Sequence, residues 1–273
     1  MKQQPIGVFD SGYGGLTVLK EITAKLPQYD YIYMGDNARS PYGTRSFETV
    51  YEYTLECVKW FFNQGCPLVI LACNTASAKA LRSIQQNDLA KIDPAKRVLG
   101  VIRPTTEIIG QFTKTGNVGI LATKGTVISN SYPIEIQKFY PGHNVFQEAC
   151  PMWVPLVENN EYNNPGADYF IKKNISNLLE QSSDIDTILL ACTHYPLLME
   201  KIKNVVPAEV MVLSQEEIVA ESLKMYLEKH PEIEENCSKN GQISFFTTDS
   251  ADDFDNHAAI FYGKPVKSKH LSL

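Results

Sequence analysis

Short β-branched runs alternate with longer stretches of helical period along almost the whole chain, and this alternation restricts the fold more than any other feature. Apolar runs predict strands at 6–9 (IGVF), 31–34 (YIYM), 68–72 (LVILA), 98–101 (VLGV), 117–121 (NVGIL), 144–148, 186–191 (DTILLA), 209–213 (EVMVL) and 243–247 (ISFFT). Helix-period stretches lie between them at 46–64, 76–88, 126–139, 166–181 and 215–229. A chain with this rhythm forms parallel sheets covered by helices, an α/β fold. The strands are too many for one small sheet, and two blocks recur. PLVILACNTAS (67–77) and DTILLACTHYP (186–196) share Leu-Ala-Cys, with Cys73 and Cys192 119 positions apart. IGVFDSGYGG near the start has a weaker counterpart in VGILATKGTV after residue 117. Two related α/β halves explain both repeats. Pattern alone puts their border near DPAKRVLGVIRPTTE (93–107), where charge and proline interrupt the apolar rhythm. No low-complexity linker separates the halves, so they are expected to touch closely.

Bulk properties exclude several classes. The chain has 273 residues with 25 Lys+Arg against 31 Asp+Glu, a net charge of −6, and carries no basic run. A nucleic-acid partner is therefore not expected. The start, MKQQPIGVFDSG, lacks the apolar core of a signal peptide, and the run at 67–73 is far shorter than the roughly 20 residues that cross a bilayer. The expectation is a cytoplasmic protein with no membrane contact. Six dispersed cysteines, without Cys-x-x-Cys or zinc spacing, fit a reducing compartment and no metal. The Asn-x-Ser sequences at Asn174 and Asn236 are then chance matches.

Ligands of parallel sheets bind beyond the carboxyl ends of strands, and here those positions are polar. Asp10, Ser11 and Gly12 follow the first strand, Asp36 and Asn37 the second, Cys73, Asn74 and Thr75 the third; Cys192, Thr193 and His194 end the strand of the second half. One cysteine at a strand end reads as a small buried hydrophobe. Two of them, each followed by hydroxyl, amide or imidazole groups and an expected helix start, point to function, because a helix N-terminus stabilises a thiolate or binds a carboxylate. DSGYGGLTVLKE (10–21) fails the dinucleotide fingerprint at its third glycine; Gly12 and Gly14 read as a tight turn needing glycine's dihedral freedom. In GDNARSPYGTRS (35–46), otherwise an ordinary loop, the backbone around Gly43 can form an anion nest. Segment 150–168, with three prolines and four asparagines, reads as a loop over the surface or over a site; its Glu158 is on residue type alone an ordinary surface carboxylate. His194 is either a solvent-facing imidazole or a group that tunes Cys192.

If the halves face each other, the cysteines stand on opposite sides of one cleft. Inversion at a carbon needs that arrangement: one thiolate removes a proton from one face, and the other thiol delivers one to the opposite face. Thiols suit the task because their ordinary pKa of about 8.5 leaves both forms accessible.

In order, GVFDSGYGGLTVL, GDNARSPYG, LACNTAS, ACPMWVPLVE and LACTHYPLL resemble the glutamate racemases of the aspartate/glutamate racemase superfamily, from about residue 6 to FFTTDSADDFDNHAAIFYG. The resemblance implies two pseudo-symmetric, doubly wound parallel-sheet domains with the active site at their interface. It also implies that the second is inserted into the first, giving 1–97 plus 212–273 and 98–211. It implies cofactor-independent interconversion of L- and D-glutamate, without PLP or metal, that supplies peptidoglycan synthesis, with a homodimer as the prior for assembly. By motif position Cys73 and Cys192 resemble the acid/base thiols, with Asp10 beside the first and Glu158 and His194 beside the second. Asp10, Ser11, Tyr42, Gly43, Asn74, Thr75, Thr193 and His194 resemble the substrate contacts. Ser214-Gln215 replaces a common Asp-Ser at a helix start, where a serine cap remains available and little effect is expected. Loop 159–168 is slightly long, which touches only the path after Glu158. Aspartate or another acidic amino acid remains an alternative substrate, since one methylene is worth only about 1–3 kcal/mol in a pocket. A non-catalytic acidic-metabolite binder is the alternative from another class.

Overall fold

The computed structural model describes residues 4–273; Met1–Gln3, the start of the N-terminal stretch read above, lie outside the described residues. Among the described residues ten strands form: β1 Ile6–Asp10, β2 Tyr31–Gly35, β3 Leu68–Leu71, β4 Arg97–Gly100, β5 Asn117–Ala122, β6 Asn144–Ala149, β7 Thr187–Ala191, β8 Met211–Leu213, β9 Ile243–Thr247 and β10 Ser268–His270. They make two sheets, six-stranded β10-β9-β2-β1-β3-β4 and four-stranded β6-β5-β7-β8, every pairing parallel. The expected α/β class with paired parallel sheets is what the chain adopts.

The two orders explain the repeats. Within the first sheet, β2-β1-β3-β4 has the same winding as β6-β5-β7-β8. Each starts on an inner strand, steps to one side, then crosses to the other, so the chain reverses direction between β1 and β3 and again between β5 and β7. A crevice opens at the carboxyl ends there. Ser11 and Cys73 flank the first crevice, and Thr123 and Cys192 occupy the same places at the second. The strands bearing these groups are central: β1, β3 and β7 are buried throughout. That accounts for runs that are continuously apolar rather than alternating.

The chain leaves the first sheet after β4, builds the second, and returns after β8 to add β9 and β10. β4 pairs with β3 and β8 with β7. The expected edges at 97/98 and 211/212 therefore fall inside strands. The returning helix Glu216–Lys229 packs on Gly15–Lys25, which also meets Ala251–Tyr262.

Helix Phe47–Asn63 matches expectation, with Val50, Thr54, Cys57, Val58, Phe61 and Phe62 on its buried face and Ser46 accepting the Thr49 N–H as N-cap. Elsewhere the structure differs. The expected helix 126–139 is two, Lys124–Ser129 and Ser131–Phe139, because Asn130 sits at φ 54°, a left-handed conformation asparagine tolerates. The expected 76–88 helix begins at Asn74 and is broken, with a π-turn at Ile84–Asp88. Segment 150–168 is not all loop: Trp153–Glu158 is helical, because Trp153 and Val157, one turn apart, both enter the core, and Pro155 falls in the first turn where no N–H is required. Among the described residues no helix is long and apolar enough to cross a membrane.

Candidate active site

Both repeated cysteines line one cavity of about 90 Å³ between the carboxyl ends of the two sheets. Ser11, Tyr42, Gly43, Asn74, Thr75, Glu158, Thr193 and His194 line it with them. A larger groove of about 910 Å³, along Arg82, Arg103 and Tyr226, holds none of the candidate residues.

Cys73 follows β3 and is the N-cap of Asn74–Lys79, its sulfur accepting the Ala76 N–H at 3.5 Å. The Ser11 hydroxyl lies 3.4 Å from the same sulfur. Burial pushes the Cys73 thiol up to about 12, with the Asp10 charge acting in the same direction and the Ser11 and Ala76 contacts opposing it. Asp10, at the end of β1, is 1 % exposed. Oδ2 accepts the Gly12 N–H at 2.9 Å, and Oδ1 is buried without a hydrogen-bond partner among the described residues. Burial raises the Asp10 carboxyl, and His194 pulls it back.

Cys192 follows β7, and its sulfur is 3.9 Å from His194 Nδ1; His194 Nε2 is 3.0 Å from Glu158 Oε1. Glu158 thus ends its short helix over the site, not on an open surface, and His194 is buried, not solvent-facing. Burial works against charge on His194, yet its contacts with Cys192 and Glu158 outweigh that and raise it to about 10. The expected helix start after Cys192 is absent: a turn leads into a 3₁₀ segment at Tyr195–Leu198. Pro196 fits that first turn, since it brings no N–H.

The 35–46 loop is anchored beneath the cavity. Asp36 is fully buried and accepts Arg39 Nε at 2.7 Å, the Thr248 hydroxyl at 2.8 Å and the Tyr42 hydroxyl. Tyr42 therefore spends its own hydroxyl on Asp36. A Cβ on Gly43 would come within 3.0 Å of Thr123 Cβ, so glycine fits this close approach between the sheets. The expected dihedral reason does not apply to Gly12 or Gly14. Neither has positive φ; Gly14 sits at φ −57°, where any residue fits. A Cβ on Gly14 would instead stand 2.2 Å from Thr193 Oγ1 and 2.5 Å from His194 Nδ1.

Thr75 Oγ1 is 3.0 Å from Thr123 Oγ1, and the Tyr132 hydroxyl donates to Asn74 Oδ1 at 2.6 Å. The Thr193 carbonyl accepts the Thr17 hydroxyl at 3.2 Å. Residue-level reading missed Thr123 and Lys124, which line the cavity beside Ser40, Pro41 and Thr44. The signal was present: VGILATKGTV aligns Thr123 with Ser11, and the equivalent windings put the two at equivalent strand ends.

The site offers two thiols, a carboxyl beside one and an imidazole–carboxylate pair beside the other, in a confined space rich in hydroxyl and amide groups. Proton transfer at a small polar molecule is the chemistry those groups can perform. The family model of Asp/Glu/hydantoin racemases matches residues 7–223. The chain is 36 % identical over 271 residues to the glutamate racemase of Persephonella marina, covering 98 % of this chain and 97 % of that one. Its backbone matches a glutamate racemase isoform from Bacillus anthracis with a TM-score of 0.90 at 34 % identity, over 100 % of this chain and 99 % of the other. The glutamate racemase from Francisella tularensis, crystallised with D-glutamate, matches with a TM-score of 0.88 at 30 % identity, over 100 % and 98 %.

Proposed function

The chain belongs to the Asp/Glu/hydantoin racemase family, and on that premise we propose that it interconverts L- and D-glutamate by two-base proton transfer at Cα, supplying D-glutamate for peptidoglycan synthesis. One observation carries the reading: two thiols, each at the reversal point of its own parallel sheet, line the same cavity of about 90 Å³. The names of the relatives support glutamate as the substrate. We also propose the two-domain division expected from the sequence, with its edges moved to the ends of β4 and β8 so that neither strand is cut.

In one direction Cys192 takes the Cα proton and the Cys73 thiol delivers its own to the opposite face. Cys73, pushed up to about 12, is protonated at neutral pH and ready to do so. His194, charged well above neutral pH, lies 3.9 Å from Cys192 and can hold a proton while that sulfur acts as base. In the reverse direction Cys73 must first lose its proton, and Asp10, with one unpartnered oxygen and a raised proton affinity, is the group beside it suited to take it. Cys73, Asn74, Thr75, Cys192, Thr193 and His194 are all buried, so the few hydroxyl and N–H donors among the lining groups act on the carbanion in a low-dielectric space.

The test is a chiral assay with L-glutamate, D-glutamate and both enantiomers of aspartate, without added PLP or metal, run in H₂O and in D₂O. The expected result is conversion of glutamate in both directions with solvent deuterium at Cα of the product. Product lacking deuterium would sink the two-base scheme, and turnover of aspartate alone would sink the substrate assignment.

A further inference from the structure

Asn74 is 2 % exposed and lines the cavity, yet its Nδ2 has no hydrogen-bond partner among the described residues. A buried amide donor without an acceptor is costly unless a ligand completes it. What fixes the orientation of that amide lies outside the cavity altogether. Gln215 Nε2, with two hydrogens to donate, lies 2.7 Å from the Tyr132 hydroxyl, 3.0 Å from Thr105 Oγ1 and 3.3 Å from the Val101 carbonyl. Tyr132 in turn donates to Asn74 Oδ1 at 2.6 Å. Tyr132, Thr105, Gln215 and Asn74 are all buried.

The chain of bonds has a fixed polarity. A backbone carbonyl can only accept, so Val101 requires the NH₂ side of the Gln215 amide. The Tyr132 oxygen receives one of those N–H groups, which leaves its own proton to be donated onward. Asn74 must then present Oδ1 to Tyr132. With Asn74 turned over, its NH₂ would meet an oxygen that already accepts, and the Tyr132 proton would have no acceptor. The polarity therefore leaves Nδ2 as the end of Asn74 offered to a ligand.

We propose that Gln215 and Tyr132 are positioning residues that hold Asn74 as a hydrogen-bond donor to a carboxylate of the bound substrate. The inference rests on the functional reading above, since it takes an amino acid's carboxylate as the acceptor. It also revises the expectation that Ser214-Gln215 has little effect. Gln215, not Ser214, is the N-cap residue of Glu216–Lys229, and its side chain makes no cap bond because it is committed to Tyr132, Thr105 and Val101. These contacts join both crossings between the sheets, Val101–Thr105 after β4 and Gln215 after β8, to a cavity-lining side chain.

The test is a double-mutant cycle of Tyr132→Phe with Asn74→Ala, and a second cycle of Gln215→Leu with Asn74→Ala, read as kcat and KM in both directions and as Kd for D-glutamate. Tyr132→Phe keeps the ring and removes only the hydroxyl. The expected result is a rise of about tenfold in KM and Kd for each single variant, the loss of one charge-assisted donor, with kcat changed much less. In the Asn74→Ala background Tyr132→Phe and Gln215→Leu should then have little further effect. Racemisation of glutamate with additive cycles, or Asn74→Ala leaving KM and Kd unchanged, overturns this inference and leaves the functional reading standing. A wild-type protein that neither racemises nor binds glutamate overturns both.

Discussion

Gly14→Ala probes how tightly the two sheets are fitted at the site. Gly14 has φ −57° and immediately precedes helix Gly15–Lys25, so alanine's backbone preferences are met there. In open space the change would stabilise by about 0.4–1 kcal/mol through the unfolded chain. The added methyl, however, would stand 2.2 Å from Thr193 Oγ1, 2.5 Å from His194 Nδ1 and 2.7 Å from His194 Cε1, where ordinary contact begins at 3.4 Å. Thr193 can rotate its hydroxyl away. The imidazole cannot yield freely, because Nε2 is held 3.0 Å from Glu158 and the ring packs edge-on to Phe261 at 5.3 Å. Relief requires His194 to move by roughly 0.9 Å, and the displaced atom is the one that faces Cys192. Overpacking of this kind costs about 1–3 kcal/mol, which reverses the sign expected from the backbone. A misplacement near 1 Å lowers turnover by about a hundredfold. Steady-state polarimetry in both directions should show that loss mainly in kcat, and thermal melting should show the destabilisation. Gly142→Ala, where a Cβ meets nothing within 4 Å, is the silent control. A Gly14→Ala protein with kcat within about threefold of wild type would refute the claim that this contact sets the His194 position.

Two further outcomes follow from the same geometry. Either Cys73→Ser or Cys192→Ser should lower kcat by about 10²–10⁴, the usual range for removing a general acid or base; near-normal turnover in one variant would make that thiol structural. Because the folded proton affinity of His194, about 10, exceeds its ordinary value of 6.5, its charged contacts stabilise the fold fully below about pH 6.5, and that contribution is lost as pH rises through about 10. Glu158→Gln should flatten the decline in melting temperature between those values, and an unchanged slope would remove Glu158 from the set that holds the charge.

Much of the site was legible because it lies at strand ends, where a buried apolar run stops and polar residues begin. Cys73 and Cys192 stood out since each terminates a strand buried along its whole length. Thr123 was harder: β5 ends in Ala122 where β1 ends in Asp10, so the polar signal that flags Ser11 is thinner there. On residue type alone Glu158 and the helix Trp153–Glu158 were hidden, because prolines and asparagines lower the local helix propensity, whereas Trp153 and Val157 fold the segment by burial. Gly14 was visible as a glycine but not for its reason, which is a contact with residues about 180 positions away. The relay through Gln215 had no local signature, since it joins four segments that only the tertiary fold brings together.

On the two-base reading, equivalent strand ends place the sulfurs alike while their neighbours differ, and thermodynamics limits what that difference can do. L- and D-glutamate have equal free energy in achiral water, so kcat/KM must be the same in both directions for any variant whatever its asymmetry. Cys73, raised by burial and by Asp10, and Cys192, paired with the His194–Glu158 couple, can therefore differ only in how each direction divides between kcat and KM. A variant that disables one thiol is a base lost in one direction and an acid lost in the other. It must depress both directions to the same extent in kcat/KM. The inequivalence of the two environments will instead be seen in the separate constants. Cys73, pushed up to about 12, starts protonated in the direction in which it is the acid, and this shows in the kcat and KM of that direction separately, not in their ratio. Duplication of the strand end thus supplies the two faces, and the unequal partners, Asp10 at one sulfur and His194 at the other, determine the protonation state from which each direction begins.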